Sequence, residues 1–374
     1  MPIVEAPRFA AWSGAPPLTV GVEEEFLLLD AATGEVAAAA PRVLALLGDR
    51  RDITPELTLY QIETATDVCT SLDQVRDELV RLRETASRAA ARAGYHLVAS
   101  GVAPLRLPPR TVLTGDPRYK ELARRYPRLV SRSVTCGCHV HVGVSSRDQG
   151  VDVIARLRPW LPTLLALSAN SPIADGRDTR WASWRFHRWS EWPSAVPPRS
   201  WRSAARYDAA VRRLVHRGRA LDARGVYFHA RLSPRYPTIE VRVMDTCLTV
   251  EDTMLLAALV RALAAAAVDD ARRGVPRPAV PDGRLRAALD HAAREGLHGT
   301  AVDPLTGRMT SQRELLERMV DRVSISERVA ALLRGLLKRG AGADRQRAMW
   351  AAARTPHRFA ALLADATRDA PMPL

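Results

Sequence analysis

LTVGVEEEFLLLD, residues Leu18 to Asp30, decides how the rest of the chain is read. Its aliphatic and aromatic content predicts a β-strand, and Ala31-Ala32-Thr33-Gly34 supplies turn chemistry before a short second strand near Glu35 to Ala38. Side chains two apart on a strand share a face, so Glu23 and Glu25 point one way and Glu24 the other. Alone, the triple glutamate also fits an edge strand bearing solvated acids. Its company changes that reading. Gln61 and Glu63 repeat the spacing in ELTLYQIETATDV (Glu56 to Val68), His139 and His141 in SVTCGCHVHVGV (Ser133 to Val144), and Glu240 and Arg242 in a strand from Thr238 to Cys247. Each pair interrupts a run of Val, Ile or Leu, where polar side chains are costly unless they meet partners. Four such strands would form a polar, acid-rich concavity.

Outward from these strands, Pro41 to Leu47 predicts a short helix, and Ser71 caps a helix in which Leu72, Val75, Leu79 and Leu82 recur until Gly94 ends it. Tyr95 to Val102 reads as a strand, followed by a proline-rich loop through Arg110. Val151 to Ala169 is helical despite Pro162. Ser171 to Arg202, with five tryptophans, reads as a long irregular loop, and loops of that length are usually functional or disordered. Ala204 to Arg224 predicts a helix and Val226 to Leu232 a strand, joined through a Ser233-Pro234 turn to the strand from Thr238. Thr249 opens a long apolar helix, and everything from Asp282 onward reads as helices. Without regular βαβ alternation, the expected class is α+β with a mainly antiparallel sheet. The expected organisation is one domain over 1–374, with a sheet-bearing core at about 15–275 and a helical part at about 280–370.

The 374 residues carry 55 Lys and Arg against 41 Asp and Glu, a formal charge of +14, with 47% hydrophobic residues. That balance describes a folded chain, not a disordered one. Only Lys120 and Lys338 are lysines, and the arginines are spread along the whole sequence. A composition habit explains the charge better than a nucleic-acid footprint, which would concentrate it on one stripe. Cys69, Cys136, Cys138 and Cys247 are too sparse for a disulfide scaffold. The N-terminus lacks the basic start and apolar stretch of a signal peptide, and the longest apolar run, Met254 to Val268, is short for a membrane span and broken by Arg261. These features predict a cytoplasmic protein with no nucleic-acid or membrane partner.

An acid-rich face suits Mg²⁺ or Mn²⁺, which prefer oxygen ligands and share them with substrate phosphates, with His139 as a minority nitrogen ligand. Arg242, beside Glu240, offers a forked donor for a phosphate. Cys136, Cys138, His139 and His141 raise a zinc alternative, but alternation sends the cysteines and histidines to opposite faces. The Trp/Arg stretch 176–202 is open to three readings: base stacking, a lid in which Arg177 or Arg185 clamps a carboxylate or phosphate, or a loop anchored by its tryptophans. No phosphate loop, dinucleotide fingerprint or nucleophile elbow is present.

The chain resembles the type 2 glutamate-cysteine ligase family, the carboxylate-amine ligases of the glutamine-synthetase-like superfamily. The resemblance rests on GVEEEFLLLD (21–30), QIET (61–64), GCHVHVGV (137–144), SANSP with GRDTRWASWR (168–185), SPRYPTIEVRVMD (233–245) and GADRQRA (342–348). It implies a funnel-like antiparallel sheet that binds ATP and Mg²⁺ or Mn²⁺ and forms an amide bond through an acyl phosphate. It places Glu23, Glu25, Glu63, His139 and Glu240 at metal-ligand positions and Arg242 at the phosphate-contacting position. Glu25, Glu63 and Arg242 are then the catalytic candidates, and Arg177, Arg185, His141, Arg231 and Arg242 the substrate- and ATP-binding ones. Small amino-acid or carboxylate substrates and ATP are the implied partners, with a homodimer left open and weak glutamate-cysteine ligase activity as the default. The chain departs from the family pattern at Ile173-Ala174-Asp175, at Arg180 in place of a usual glycine and at His229 in place of an acid, all near the substrate. Two alternatives remain: a guanidino kinase on the same fold, and a non-catalytic anion- or nucleic-acid-binding protein.

Overall fold

The computed structural model describes residues 18–108, 111–132 and 134–368. The N-terminal stretch before Leu18, the end of the proline-rich loop at Pro109 and Arg110, Ser133 and the last six residues lie outside the described residues.

In chain order the strands are β1 (Val20–Asp30), β2 (Ile53–Pro55), β3 (Gln61–Ala65), β4 (Tyr95–Val98), β5 (Gly137–Gly143), β6 (Ile173–Ala174), β7 (Arg177–Asp178), β8 (Ala230–Leu232), β9 (Thr238–Asp245), β10 (Thr300–Val302) and β11 (Met309–Ser311). The helices are α1 (Ala40–Ala45), α2 (Leu72–Arg92), α3 (Pro117–Arg125), α4 (Pro127–Val130), α5 (Arg147–Leu157), α6 (Leu161–Ser168), α7 (Trp184–Trp189) and α8 (Ala204–His216). They continue with α9 (Val250–Arg272), α10 (Asp282–Glu295), α11 (Gln312–Asp321), α12 (Glu327–Arg339), α13 (Gly342–Ala353) and α14 (Pro356–Arg368).

The expected α+β architecture is present. Among the described residues an antiparallel sheet runs β2-β3-β1-β5-β9-β8, with β4 pairing the second half of β1. β1 sets the register: Glu25 lies opposite Glu63 on β3, and Glu23 opposite His139 on β5. His141 lies opposite Glu240, which pairs in turn with Arg231 on β8. Between Cys138 and Val140 the β5–β9 register slips by one, so that Arg242 and Val243 together oppose His139. Such a bulge bends the strand and re-aims a side chain, here Arg242.

The other face of β1 and β5 is apolar. Val20, Val22, Cys138, Val140 and Val142 are all buried in the main core, which α2, α5 and α9 cover. Ser71 and Gln74 form the capping box that starts α2, and Val75, Leu79, Leu82 and Ala86 make its buried stripe. The apolar run of α9 is buried along most of its length against β5, α2 and α5, and no helix among the described residues is long and apolar enough to cross a membrane.

Several elements differ from the sequence expectation. Glu56 to Val68 is not one strand: β2 ends at Pro55 and β3 begins at Gln61, because a turn intervenes that carries Glu56. Glu35 to Ala38 contributes one bridge, Leu29 to Val36. The helix expected from Val151 starts at Arg147 and is interrupted at Arg158–Trp160, where Pro159 and Pro162 deny backbone donors. The loop after Ser171 holds the β6–β7 hairpin and α7, and the C-terminal third contains the β10–β11 hairpin as well as helices. Helices α3 and α4 were not expected; each starts at a proline on N1 after a turn.

Glu24, as its alternation requires, points into the core, where it meets Arg83 of α2. The two are 0% and 1% exposed. The guanidinium donates to both Glu24 oxygens at 3.0 and 2.6 Å, and to the carbonyls of Cys247, Leu248 and Thr367 at 2.8, 3.2 and 3.3 Å. Thr253 Oγ1 donates to Glu24 at 2.7 Å. Removing one member of such a pair strands a buried charge, so Glu24→Ala is expected to lower unfolding free energy by about 3–5 kcal/mol. Glu24→Leu with Arg83→Met should recover most of that loss, as urea denaturation of the single and double variants would show.

Candidate active site

The opposite face of the same strands gathers the polar pairs into one cavity of about 190 Å³. Glu23 and Glu25 project from β1, Glu63 from β3, His139 and His141 from β5, and Glu240 and Arg242 from β9. Arg231 of β8 completes the far wall. An inner extension reaches Gln61, Arg185, Trp189 and Trp192.

His139 sits at the centre. Its Nδ1 lies 3.3 Å from Glu23 and its Nε2 3.7 Å from Glu25, while His141 Nε2 lies 3.4 Å from the other Glu23 oxygen. Ligand atoms of Glu23, His139 and Glu240 fall within 4.8 Å of one another, as do those of Glu25, Glu63 and His139. Two cation-sized groupings thus share one imidazole. Glu25 also accepts from the Gly137 amide at 2.7 Å.

The carboxylates divide into two kinds. Burial raises Glu23, but His141 and His139 overcome it and hold the group well below the usual carboxylate range. Burial likewise works against Glu240, yet Arg231, at 2.8 Å, and Arg242, in direct contact, hold it low. Glu63 is the reverse. Burial and the charges of Glu23, Glu56 and Glu25 push it well above the usual range, and it has no hydrogen-bond or ion-pair partner among the described residues. Glu25 is raised by burial, with His139 opposing in part. Burial, then Arg242, lowers His139, which favours the neutral imidazole. Glu25 and Glu63 are therefore carboxylates short of positive charge.

The cations are placed from several directions. Arg231 is locked by Glu240 and by the carbonyls of Arg224 and Val226, at 2.8 and 2.9 Å. Arg242 contacts Glu240, and its Nε is buried without a partner. Arg185, 2% exposed, lies over the Trp189 ring at 5.0 Å and donates to the carbonyls of Arg242 and Val243 at 3.3 and 3.4 Å. Its backbone is fixed through Ser171, whose hydroxyl donates to buried Asp245 at 2.7 Å, as does that of Ser183. Any side chain at Gly137 would collide with the Arg185 guanidinium, so the glycine of GCHVHVG admits that arginine to the inner wall.

Of the residues singled out from the sequence, Arg177 alone is not brought here. It is exposed on β7, in a hairpin whose Asp178 pairs with Arg347 of α13 at 2.9 Å, and it lines neither part of the cavity. Cys138 stays on the buried face, as alternation requires, but Cys136, just before β5, is enclosed in a separate apolar cluster with Leu27 and Leu29, and its Sγ accepts from Gln61 Nε2 at 3.3 Å; neither cysteine enters a grouping with His139 or His141 among the described residues. Sequence reading missed Glu56, Tyr119 and Tyr227. Glu56 sits in the turn between β2 and β3 and accepts from Tyr119 at 3.4 Å, so no alternation pattern marks it. Tyr119 belongs to α3, and Tyr227 lies before β8, with Arg242 6.0 Å over its ring.

The chain matches the family model described as glutamate-cysteine ligase family 2 over residues 19–360. It is 43% identical over 357 residues to a protein of Frankia alni named "Putative glutamate-cysteine ligase 2-2", covering 89% of this chain and 92% of that one. A protein of the same name from Saccharopolyspora erythraea is 43% identical over 363 residues, covering 94% and 92%. Among solved structures, glutamate-cysteine ligase from Francisella tularensis in complex with AMP superposes with a TM-score of 0.67 at 13% identity, covering 95% of this chain and 90% of that one. The bifunctional glutathione synthetase of Pasteurella multocida gives the same score at 14% identity, with the chain spanning about half of it (52%). These structures share the fold. The chain belongs to glutamate-cysteine ligase family 2 and is a ligase that forms carbon–nitrogen bonds.

Proposed function

We propose that this protein joins the side-chain carboxylate of glutamate to the amine of cysteine, using ATP and Mg²⁺ or Mn²⁺, through an acyl phosphate. The single observation that carries the reading is the pair of overlapping groupings around His139, flanked by Arg242 with an unpartnered buried donor. Four carboxylates and one imidazole are a hard-cation donor set, and the charge deficit at Glu25 and Glu63 is what a divalent ion would meet. Glu23, Glu240 and His139 would hold one ion, and Glu25, Glu63 and His139 another. Such an ion supplies Lewis-acid neutralisation of phosphate oxygens.

The chain's own groups then have distinct tasks. A carboxylate is a poor electrophile, and phosphorylating it creates a leaving group that the amine can displace. Arg242, held charged by Glu240 despite burial, offers its free Nε to the transferring phosphate. Arg185, whose Nε is also unpartnered, is suited to hold the acid substrate at the inner end, where Trp189 and Trp192 exclude water. Beside Glu23 and His141 opens a more apolar cleft of about 460 Å³, with Val20, Val22 and Val68 in its walls, and this supports nucleotide entry from that side. No nucleophilic side chain is needed: positioning and electrostatics do the work.

Three outcomes are expected. Purified protein with Mg²⁺, ATP, glutamate and cysteine should release ADP and phosphate together with a condensation product seen by mass spectrometry, and Glu25→Ala or Arg242→Ala should each reduce kcat/KM at least roughly a hundredfold. ADP without phosphate would instead mark a kinase, and no ADP with any amino-acid panel would end the ligase reading for this chain. Arg185→Lys loses the planar fork and should raise KM for the acid substrate by roughly tenfold while leaving that for ATP in place. Glu63→Gln removes like-charge crowding, so in EDTA it should melt roughly 1–3 °C higher than the unaltered protein, and added Mn²⁺, left with the Glu23, His139 and Glu240 grouping alone, should raise its melting temperature less than it raises that of the unaltered protein.

A further inference from the structure

A second cavity, of about 670 Å³, lies away from the catalytic one and shares no lining residue with it. Its walls carry Arg199, Arg206, Arg213, Arg217, Arg219 and Arg286. Three of these follow one face of α8 and its end, at spacings of seven and four residues. The floor is apolar, with Val196, Trp201, Leu214 and Phe228. Its one carboxylate, Asp282, already bridges Arg158 at 2.5 Å and Arg199 at 3.6 Å. The other five arginines form no ion pair among the described residues. Like charges crowded around a concave apolar floor repel one another until an anion enters.

We infer that this groove is a second ligand site, for a small phosphorylated molecule carrying a flat apolar group, such as a nucleoside triphosphate. Guanidinium forks match phosphate oxygens, the floor aromatics suit a ring, and the volume is that of a small-molecule site. Its place gives an occupant a route to the chemistry. Tyr227 faces the catalytic cavity and the next residue, Phe228, faces the groove. Likewise Trp189 and Trp192 line the inner cavity, while Pro193, Val196 and Trp201 of the same segment line the groove. The two cavities are back to back across one wall.

The test is isothermal titration of the full chain with GTP and, separately, inorganic tripolyphosphate, in EDTA so that the acid-lined catalytic cavity holds no cation to recruit phosphate. GTP is expected to bind once per chain, and tripolyphosphate several-fold more weakly. Arg213→Glu with Arg217→Glu should weaken GTP by at least roughly tenfold without lowering the melting temperature or changing the ligase rate measured without GTP. As a control, Arg313→Glu with Arg334→Glu, at exposed positions outside the groove, should leave GTP affinity unchanged. No saturable binding, equal loss in that control pair, or binding abolished by Arg242→Ala would overturn the site. Equal affinity for GTP and tripolyphosphate would overturn the flat-group part of the assignment.

Discussion

The buried ion pair between Glu24 and Arg83 is the constraint on which the arrangement depends. Two charges taken from water cost several kcal/mol each unless geometry and further hydrogen bonds compensate them. Here they do: Arg83 reaches both Glu24 oxygens and three carbonyls, at Cys247, Leu248 and Thr367. The central strand, α2, the segment entering α9 and the end of α14 are thereby tied at one point. Fixing Glu24 inward fixes β1 against a slip by one residue, which would turn Glu23 and Glu25 into the core and Glu24 into the cavity.

On the cavity side the electrostatics are deliberately unequal. Glu23 and Glu240 are compensated by the imidazoles of β5 and by Arg231 and Arg242, whereas Glu63 faces other carboxylates. The imbalance sits inside a protein with a formal charge of +14. Net charge is therefore a poor guide to this site, because burial isolates it from most surface arginines, and the cations that matter are the few locked to β8, β9 and α7.

The segment from Ser171 to Arg202 illustrates how structure fills a stretch without periodicity. Ser171, Ser183 and the Asn170 amide converge on Asp245, at 2.7, 2.7 and 2.9 Å, which anchors the segment to the end of β9. Arg180 adopts a positive φ of 65°, a conformation costing an ordinary side chain roughly 1–2 kcal/mol. Its amide bonds Asp178 Oδ1 at 2.8 Å, which helps to hold that turn. A glycine would adopt this backbone without that cost, and local hydrogen bonding helps the arginine to hold it.

Period-two alternation was legible in the sequence because it is a property of the strand itself. It paired Glu23 with Glu25, His139 with His141 and Glu240 with Arg242, and set Glu24 and Cys138 on the other side, though not Cys136; the motif series pointed to the family. Other features have no local signature. Glu56 lies in a turn, Tyr119 on a short helix started by Asp116 and Pro117, and Arg185 enters only because Gly137, 48 residues earlier, leaves room. Arg177 and Arg185 looked alike in sequence, yet the β6–β7 hairpin carries one to the surface and α7 carries the other to the inner wall. The sequence by itself determined which side chains share a face of a strand. Only the tertiary structure decided which faces meet, which carboxylates are left short of positive charge and which arginines converge, because charge compensation and close approach depend on distances between segments far apart along the chain.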